Sequence, residues 1–344
     1  MTCIWRLRRR MKTFGRPNHH LNKSKAHSRP LIIASLAGVL IASAIIPTIQ
    51  GAKADVVPQM TATGPGARIF GLDISRYQHT KNQPINFPAM YASGVRFLWI
   101  NGGNTLITPD RIASAYYFID RSGAQDQGIY TGFYYYAHLP DTTAKVTIIA
   151  NATSQANKVA KRIQDQGDLN SLDLPVALDL ETNCTSLTSK GVCRRSMSKT
   201  NVTLWAKTFM QRIEVATGKP PFFYSYIGFI NAHIALDPVL VSYPLWISTA
   251  KIDPAKPENQ PTLKSGRCPT SPWIDSHCSV NWQFWQYTGV GAGAHYGLQS
   301  GPVDLNVFKG STSDFLNLVS GNPAALPPVP ISSPDTSTAT SDGR

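Results

Sequence analysis

The chain has 344 residues and a formal charge of +13, yet ten of its 33 Lys and Arg, and no Asp or Glu, fall in residues 1–54. The remainder therefore carries 23 basic against 20 acidic side chains, and a balance of +3 gives no reason to expect a nucleic-acid partner. The part that looks able to order spans about 250 residues, enough for one large domain with a substantial core.

Residues 1–54 open with Arg6, Arg8, Arg9, Arg10 and Lys12, continue in an apolar run from Leu31 to Ile46, and end in Ala52-Lys53-Ala54. A basic start, a short apolar stretch and an A-x-A pattern mark a secretory signal peptide, with Met11 as an alternative start. The run is short for a membrane span, so the expected mature protein is secreted or cell-wall associated, with no stable membrane anchor. Residues 55–66 read as a flexible leader, 67–320 as one ordered domain and 321–344, dominated by Pro, Ser, Thr, Asp and Ala, as a disordered tail. There is no internal repeat and no appended binding module.

Within 67–320, short buried strands are expected at Arg68–Ile74, Phe97–Asn101, Ile129–Tyr136, Leu174–Leu180, Phe222–Tyr226, Leu245–Ile247, Trp282–Tyr287 and Val303–Val307. Helices fit between the earlier ones. Thr108-Pro109-Asp110 reads as a cap, a Pro at the first helical position and an acid in the first turn. The segment 202–217 is apolar at Val202, Trp205, Ala206, Phe209 and Ile213 and stops at Gly218. The later strands leave little room for full helices. The expected fold is α/β, an irregular (β/α) TIM-like barrel with eight strands and fewer than eight helices.

Once Cys3 is removed, four cysteines remain: Cys184 with Cys193 and Cys268 with Cys278, each pair in a turn-rich loop. In an exported chain they suggest two local disulfides. Neither pair has C-x-x-C spacing and no histidine is placed usefully, so neither a metal nor a cofactor is expected.

The fourth strand ends in Pro175-Val176-Ala177-Leu178-Asp179-Leu180-Glu181. In a strand, residues i and i+2 share a face with Cα atoms roughly 6.5–7 Å apart, so Asp179 and Glu181 leave the same side. Two acids on one rim push each other's pKa values apart, giving one proton donor and one anion as glycoside cleavage requires. Asp73 ends the first strand and Asp304 sits in the last. Closing the barrel makes those two strands neighbours. Four carboxylates at one rim are harder to explain as incidental surface charge than any one alone. Aromatics collect at the same level, where ring faces stack on sugars. Tyr134, Tyr224, Trp246 and Trp285 are the candidate sugar contacts.

With these pieces in order the chain resembles the glycoside hydrolase family 25 muramidases, from about Phe70 to Gly310. The likeness rests on Gly71-Leu72-Asp73-Ile74-Ser75-Arg76-Tyr77-Gln78, Gly132-Phe133-Tyr134-Tyr135-Tyr136-Ala137-His138 and Leu178-Asp179-Leu180-Glu181. It continues through Thr217-Gly218-Lys219-Pro220 and Tyr224-Ser225, then Tyr243-Pro244-Leu245-Trp246-Ile247, Trp285-Gln286-Tyr287 and Val303-Asp304-Leu305-Asn306-Val307-Phe308. The resemblance implies a groove across the strand ends. It also implies hydrolysis, with retention, of the β-1,4 bond between N-acetylmuramic acid and N-acetylglucosamine in a peptidoglycan strand. Carried over by motif, Glu181 is the general acid/base, Asp179 supports the reacting sugar, and Asp73 and Asp304 are flanking acids. The protein is expected to act as a monomer.

Two departures stand out. Where the family has a strand ending like Lys-Ala-Thr-Glu-Gly, this chain has Ile100-Asn101-Gly102-Gly103, and its Tyr134-Tyr135-Tyr136 replaces Tyr-His-Phe. A chitinase-like amino-sugar hydrolase is the competing enzyme, but it would carry an Asp where Ala177 stands. A non-catalytic wall-binding protein is the third reading, and it need not keep both Asp179 and Glu181.

Overall fold

The computed structural model describes residues 60–79, 84–262, 271–299 and 301–320. The expected signal peptide, the first part of the leader and the expected tail lie outside these residues. The described part of the leader is not loose: Met60 packs on the barrel's inner apolar cluster, and the Gly64 N–H donates to the Arg68 carbonyl.

Eight strands close a barrel. They are β1 (Ile69–Ile74), β2 (Phe97–Asn104), β3 (Tyr130–Tyr136), β4 (Ala177–Asp179), β7 (Phe222–Tyr226), β8 (Leu245–Ser248), β9 (Phe284–Ala292) and β10 (Pro302–Phe308), in the order β1-β10-β9-β8-β7-β4-β3-β2. All eight expected strands form, Phe222–Tyr226 with the expected bounds and the others with shifted ends. β4 is the shortest because Pro175 has no N–H to give, although Leu174 and Leu180 still donate to Thr131 and Tyr224 on either side. β10 runs antiparallel to both β1 and β9, whereas every other barrel pair is parallel. Between β4 and β7, strands β5 (Cys184–Leu187) and β6 (Cys193–Ser196) form a separate two-stranded sheet that sequence patterning missed.

Seven helices lie among the described residues: α1 (Phe87–Ala92), α2 (Ile107–Gln125), α3 (Lys145–Asp165), α4 (Lys199–Thr217), α5 (Ile227–His233), α6 (Pro238–Val241) and α7 (Thr312–Ser320). α4 stops where expected, at Gly218 with φ 71°, a left-handed conformation that glycine adopts without strain. α2 begins one residue before the expected cap, at Ile107. The reason is local: Asn104 Oδ1 accepts from Leu106 N and Asp110 Oδ1 from Asn104 N, so Asn104 and Asp110 replace Thr108 at the entry. Among the described residues no helix is long and apolar enough to cross a membrane.

Alternation along the strands sorts the core into two parts. Leu72, Leu98, Phe133, Leu178 and Phe223 face outward onto the helices. Ile69, Phe97, Trp99, Tyr130, Phe222, Trp246, Phe284 and Phe308 fill the barrel's interior. Phe315 of α7 joins them from below, its ring edge-on to Tyr130 and Phe308 at 5.3 and 5.2 Å. Such large rings fit because their neighbours are small: a Cβ on Gly132 would lie 2.2 Å from the Trp99 ring. The interior is thus closed at the mouth where the parallel strands start. The opposite mouth is where they end.

Candidate active site

β1 and β10 bring Asp73 and Asp304 directly opposite each other as cross-strand partners. Asp304 lies near the start of β10, so it is the reversed direction of this strand that carries it to the rim where β1 ends. Asp73 is 6% exposed. Its Oδ2 accepts from Gln286 Nε2 at 2.9 Å and from Asn306 Nδ2 at 2.7 Å. Both amides are themselves held. Trp246 Nε1 donates to Asn306 Oδ1 at 2.8 Å, while the Tyr224 hydroxyl and Ser248 Oγ donate to Gln286 Oε1 at 2.9 and 2.7 Å. With their oxygens occupied, the two amides turn their N–H groups to Asp73.

Burial pushes all four carboxyls above the usual carboxylate range. Asp304 is pushed up to about 9, by burial first, then by the charge of Asp73 and a shared hydrogen bond with it, then by Glu181. Asp73 is raised by burial but pulled back by its bonds from Gln286, Asn306 and Asp304. At neutral pH Asp304 therefore keeps its proton and directs it to Asp73. The pair shares one proton, and its titration belongs to both groups.

The second pair follows the same rule. Asp179 is 5% exposed and is raised by burial and by its hydrogen bond and charge interaction with Glu181. Glu181 is raised by burial, offset by the hydrogen bond from Asp179. Asp179, the deeper member, is raised the more strongly, and its hydrogen bond is directed to Glu181. Asp179 Oδ1 is buried with no hydrogen-bond partner among the described residues.

One member of each pair, Asp179 and Asp304, lines a cleft of about 440 Å³, whose walls also include Arg76, Tyr77, Asn101, Asn104, Tyr134, Tyr136 and His138. Tyr134 and Tyr224 stand among all four acids. Burial and those four charges hold both phenols far above their ordinary pKa, so they remain protonated donors. His138 is lowered by burial, which keeps it neutral near pH 7.

The structure brings Asp73, Asp179, Glu181, Asp304, Tyr134 and Tyr224 together, but it corrects two of the expected sugar contacts. Trp246 is 1% exposed and stacked on Trp99 at 4.8 Å, beneath the acids and supporting Asn306. Trp285 is fully buried on the outer face, where its Nε1 donates to the Thr249 carbonyl. Neither offers a ring face to the cleft. Gln286, Asn306 and Ser248 were missed. The signal was available: Asn306 lies two residues beyond Asp304, and therefore on the same face of the strand.

The β5–β6 hairpin begins three residues after Glu181 and is closed by the Cys184–Cys193 disulfide, as expected. Arg195 on the hairpin pairs with Asp141. Cys278 is also disulfide-bonded, while Cys268, its expected partner, lies outside the described residues.

A stability consequence follows for Asp304. The folded state holds this proton more tightly than the unfolded chain, where the group titrates at about 3.8. The burial cost is therefore absent below that pH, grows as pH rises, and is complete above about pH 9. Asp304→Asn should raise the melting temperature, and the gain should grow from pH 5 to pH 9 to several degrees, at about 2–4 °C per kcal/mol. Melting curves at pH 5, 7 and 9 check this, and a gain that shrinks with pH would contradict the proton assignment.

Comparison with known proteins agrees with this geometry. The family model described as Glycosyl hydrolases family 25 matches residues 72–295. Lysozyme M1 of Streptomyces globisporus is 25% identical over 265 residues, covering 76% of this chain and 75% of that protein. Among solved structures, a bacterial lysozyme from Streptomyces coelicolor superposes with TM-score 0.52 at 23% identity, covering 74% of this chain and 98% of its own. A family GH25 lysozyme from Aspergillus fumigatus gives TM-score 0.51 at 21% identity, covering 74% and 99%. The two structures share the fold with this chain.

Proposed function

We propose that this chain, which belongs to glycosyl hydrolase family 25, is an exported muramidase that cuts the β-1,4 bond between N-acetylmuramic acid and N-acetylglucosamine with retention. As a member of that family it is a glycoside hydrolase of the lysozyme type acting on peptidoglycan. The observation that carries the finer reading is the gathering of two proton-sharing carboxyl pairs at one open mouth of the barrel.

In this reading the glycan lies in the cleft with muramic acid over Asp179 and N-acetylglucosamine as the leaving group. The substrate's acetamido N–H donates to the Asp179 carboxyl, which lines the cleft. A second donor to Asp179 favours its anion and shifts the pair's proton to Glu181. Glu181 then protonates the glycosidic oxygen as the C1–O bond breaks, and the acetamido oxygen attacks C1. Water opens the resulting ring after giving its proton to Glu181. Two displacements at C1 leave its configuration unchanged. Asp73, kept anionic by Gln286 and Asn306, faces the positive charge that develops on the sugar.

Retaining enzymes that use a carboxylate nucleophile hold the two groups about 5–5.5 Å apart. Here Asp179 and Glu181 are close enough to share a hydrogen bond, which favours the substrate's own acetamido group as nucleophile. Export is supported by the basic and apolar pattern of residues 1–54 and by the disulfide, which suits an oxidising compartment. The protein acts as a monomer, secreted or wall-associated.

Mass analysis of the sugars released from purified peptidoglycan tests this. New reducing ends should be muramic acid. Release of reducing glucosamine, cleavage confined to chitin, or tight binding without any new reducing end would each overturn it.

A further inference from the structure

Arg76 stands in the wall of the same cleft as Asp179 and Asp304, yet forms no ion pair with a carboxylate among the described residues. The other arginines near carboxylates are committed: Arg121 to Asp173, Arg162 to Asp110, Arg195 to Asp141.

Its position is nevertheless fixed. Arg76 opens a short turn, Arg76–Gln78, that follows β1 directly. Ser75 caps this turn, with Gln78 Oε1 accepting from Ser75 N at 2.8 Å. Gln78 Nε2 reaches the Pro302 carbonyl at the start of β10, and His79 Nε2 meets the buried Asp120 carboxylate at 2.8 Å. The guanidinium lies over the Tyr77 ring, 4.9 Å from its centroid, and Nη2 donates to the Tyr77 hydroxyl at 3.0 Å. The remaining N–H donors form a planar fork in a preset orientation, suited to a carboxylate.

We propose that Arg76 is a specificity-determining residue that binds a carboxylate carried by the muramic acid side of the glycan. This rests on the muramidase reading and deepens it. A cleft for a neutral amino sugar has no use for an unpaired cation above an acidic floor. Muramic acid differs from N-acetylglucosamine by its 3-O-lactyl group, which ends in a carboxylate when free and in a peptide with its own carboxylates when substituted. The shared chemistry is an anionic carboxylate close to the reacting sugar, and Arg76 supplies its counter-charge.

Steady-state kinetics of the full chain on four glycans test the assignment: peptide-free muroglycan with free lactyl carboxylates, the same glycan converted to carboxamides, peptide-bearing glycan, and its amidated form. Wild type should show a lower KM for each charged glycan that Arg76 reads than for its amide, a comparison that needs no variant. Arg76→Gln should raise KM about tenfold on that charged glycan, the scale of one charge-assisted hydrogen bond, with kcat within about twofold and the amide unaffected. An effect on the peptide-free glycan identifies the lactyl carboxylate as the source, and an effect on the peptide-bearing glycan alone identifies the stem peptide. Equal KM for charged and amidated glycans in wild type, or an equal change on both in the variant, would overturn the role of Arg76. Wild type that releases no reducing muramic acid from any of the four would instead overturn the muramidase reading.

Discussion

Glu181→Gln is expected to lower kcat on muroglycan by about 10²–10⁴-fold while leaving KM within a few-fold, the range for loss of a positioned proton donor. The amide keeps the size of the side chain and can still bond to Asp179, so the barrel should melt no lower than wild type. The loss should shrink on a substrate with an activated aryl leaving group, whose departure needs no proton. An equal loss on both substrates would remove Glu181 from the acid role. The resting site sharpens this test. Burial and Glu181 raise Asp179 more strongly than Glu181 is raised, so the proposed mechanism requires substrate to move the pair's proton toward Glu181 before that group acts as the acid.

Asp179→Asn should cost about 10²–10³-fold in kcat, comparable with loss of one preorganised group that stabilises transition-state charge. The matched substrate experiment separates the two retaining routes. If the acetamido group is the nucleophile, wild type should fail to cut a glycan whose muramic acid has lost its N-acetyl group. Efficient cleavage of that glycan, together with a sugar adduct mapped to Asp179 by mass spectrometry, would make Asp179 the nucleophile instead.

Much of the barrel was legible in sequence because its strands are short apolar runs bounded by turns, and because closure forces first and last strands together. That inference paired Asp73 with Asp304 correctly. The direction of β10 was not legible, since an alternating run reads the same either way along a barrel wall. The hairpin after Glu181 escaped notice because Ser, Thr and Lys leave it no apolar face. Trp285 was a misjudgement of parity: Gln286 points to Asp73, so its neighbour must point away. Trp246 has the right parity and the wrong depth. Strand periodicity says which side a residue faces and nothing of how many layers lie above it.

The reversed last strand also decides where the protein can be handled. Because β10 descends from the rim, α7 follows it at the far mouth, where Phe315 seals the interior. A surface tether or partner domain joined after Ser320 would thus emerge on the side away from the cleft. The enzyme could be fixed to a bead with its groove facing outward. The same attachment made in the β9–β10 connection would lie on the rim side, beside Pro302 and the Arg76 turn.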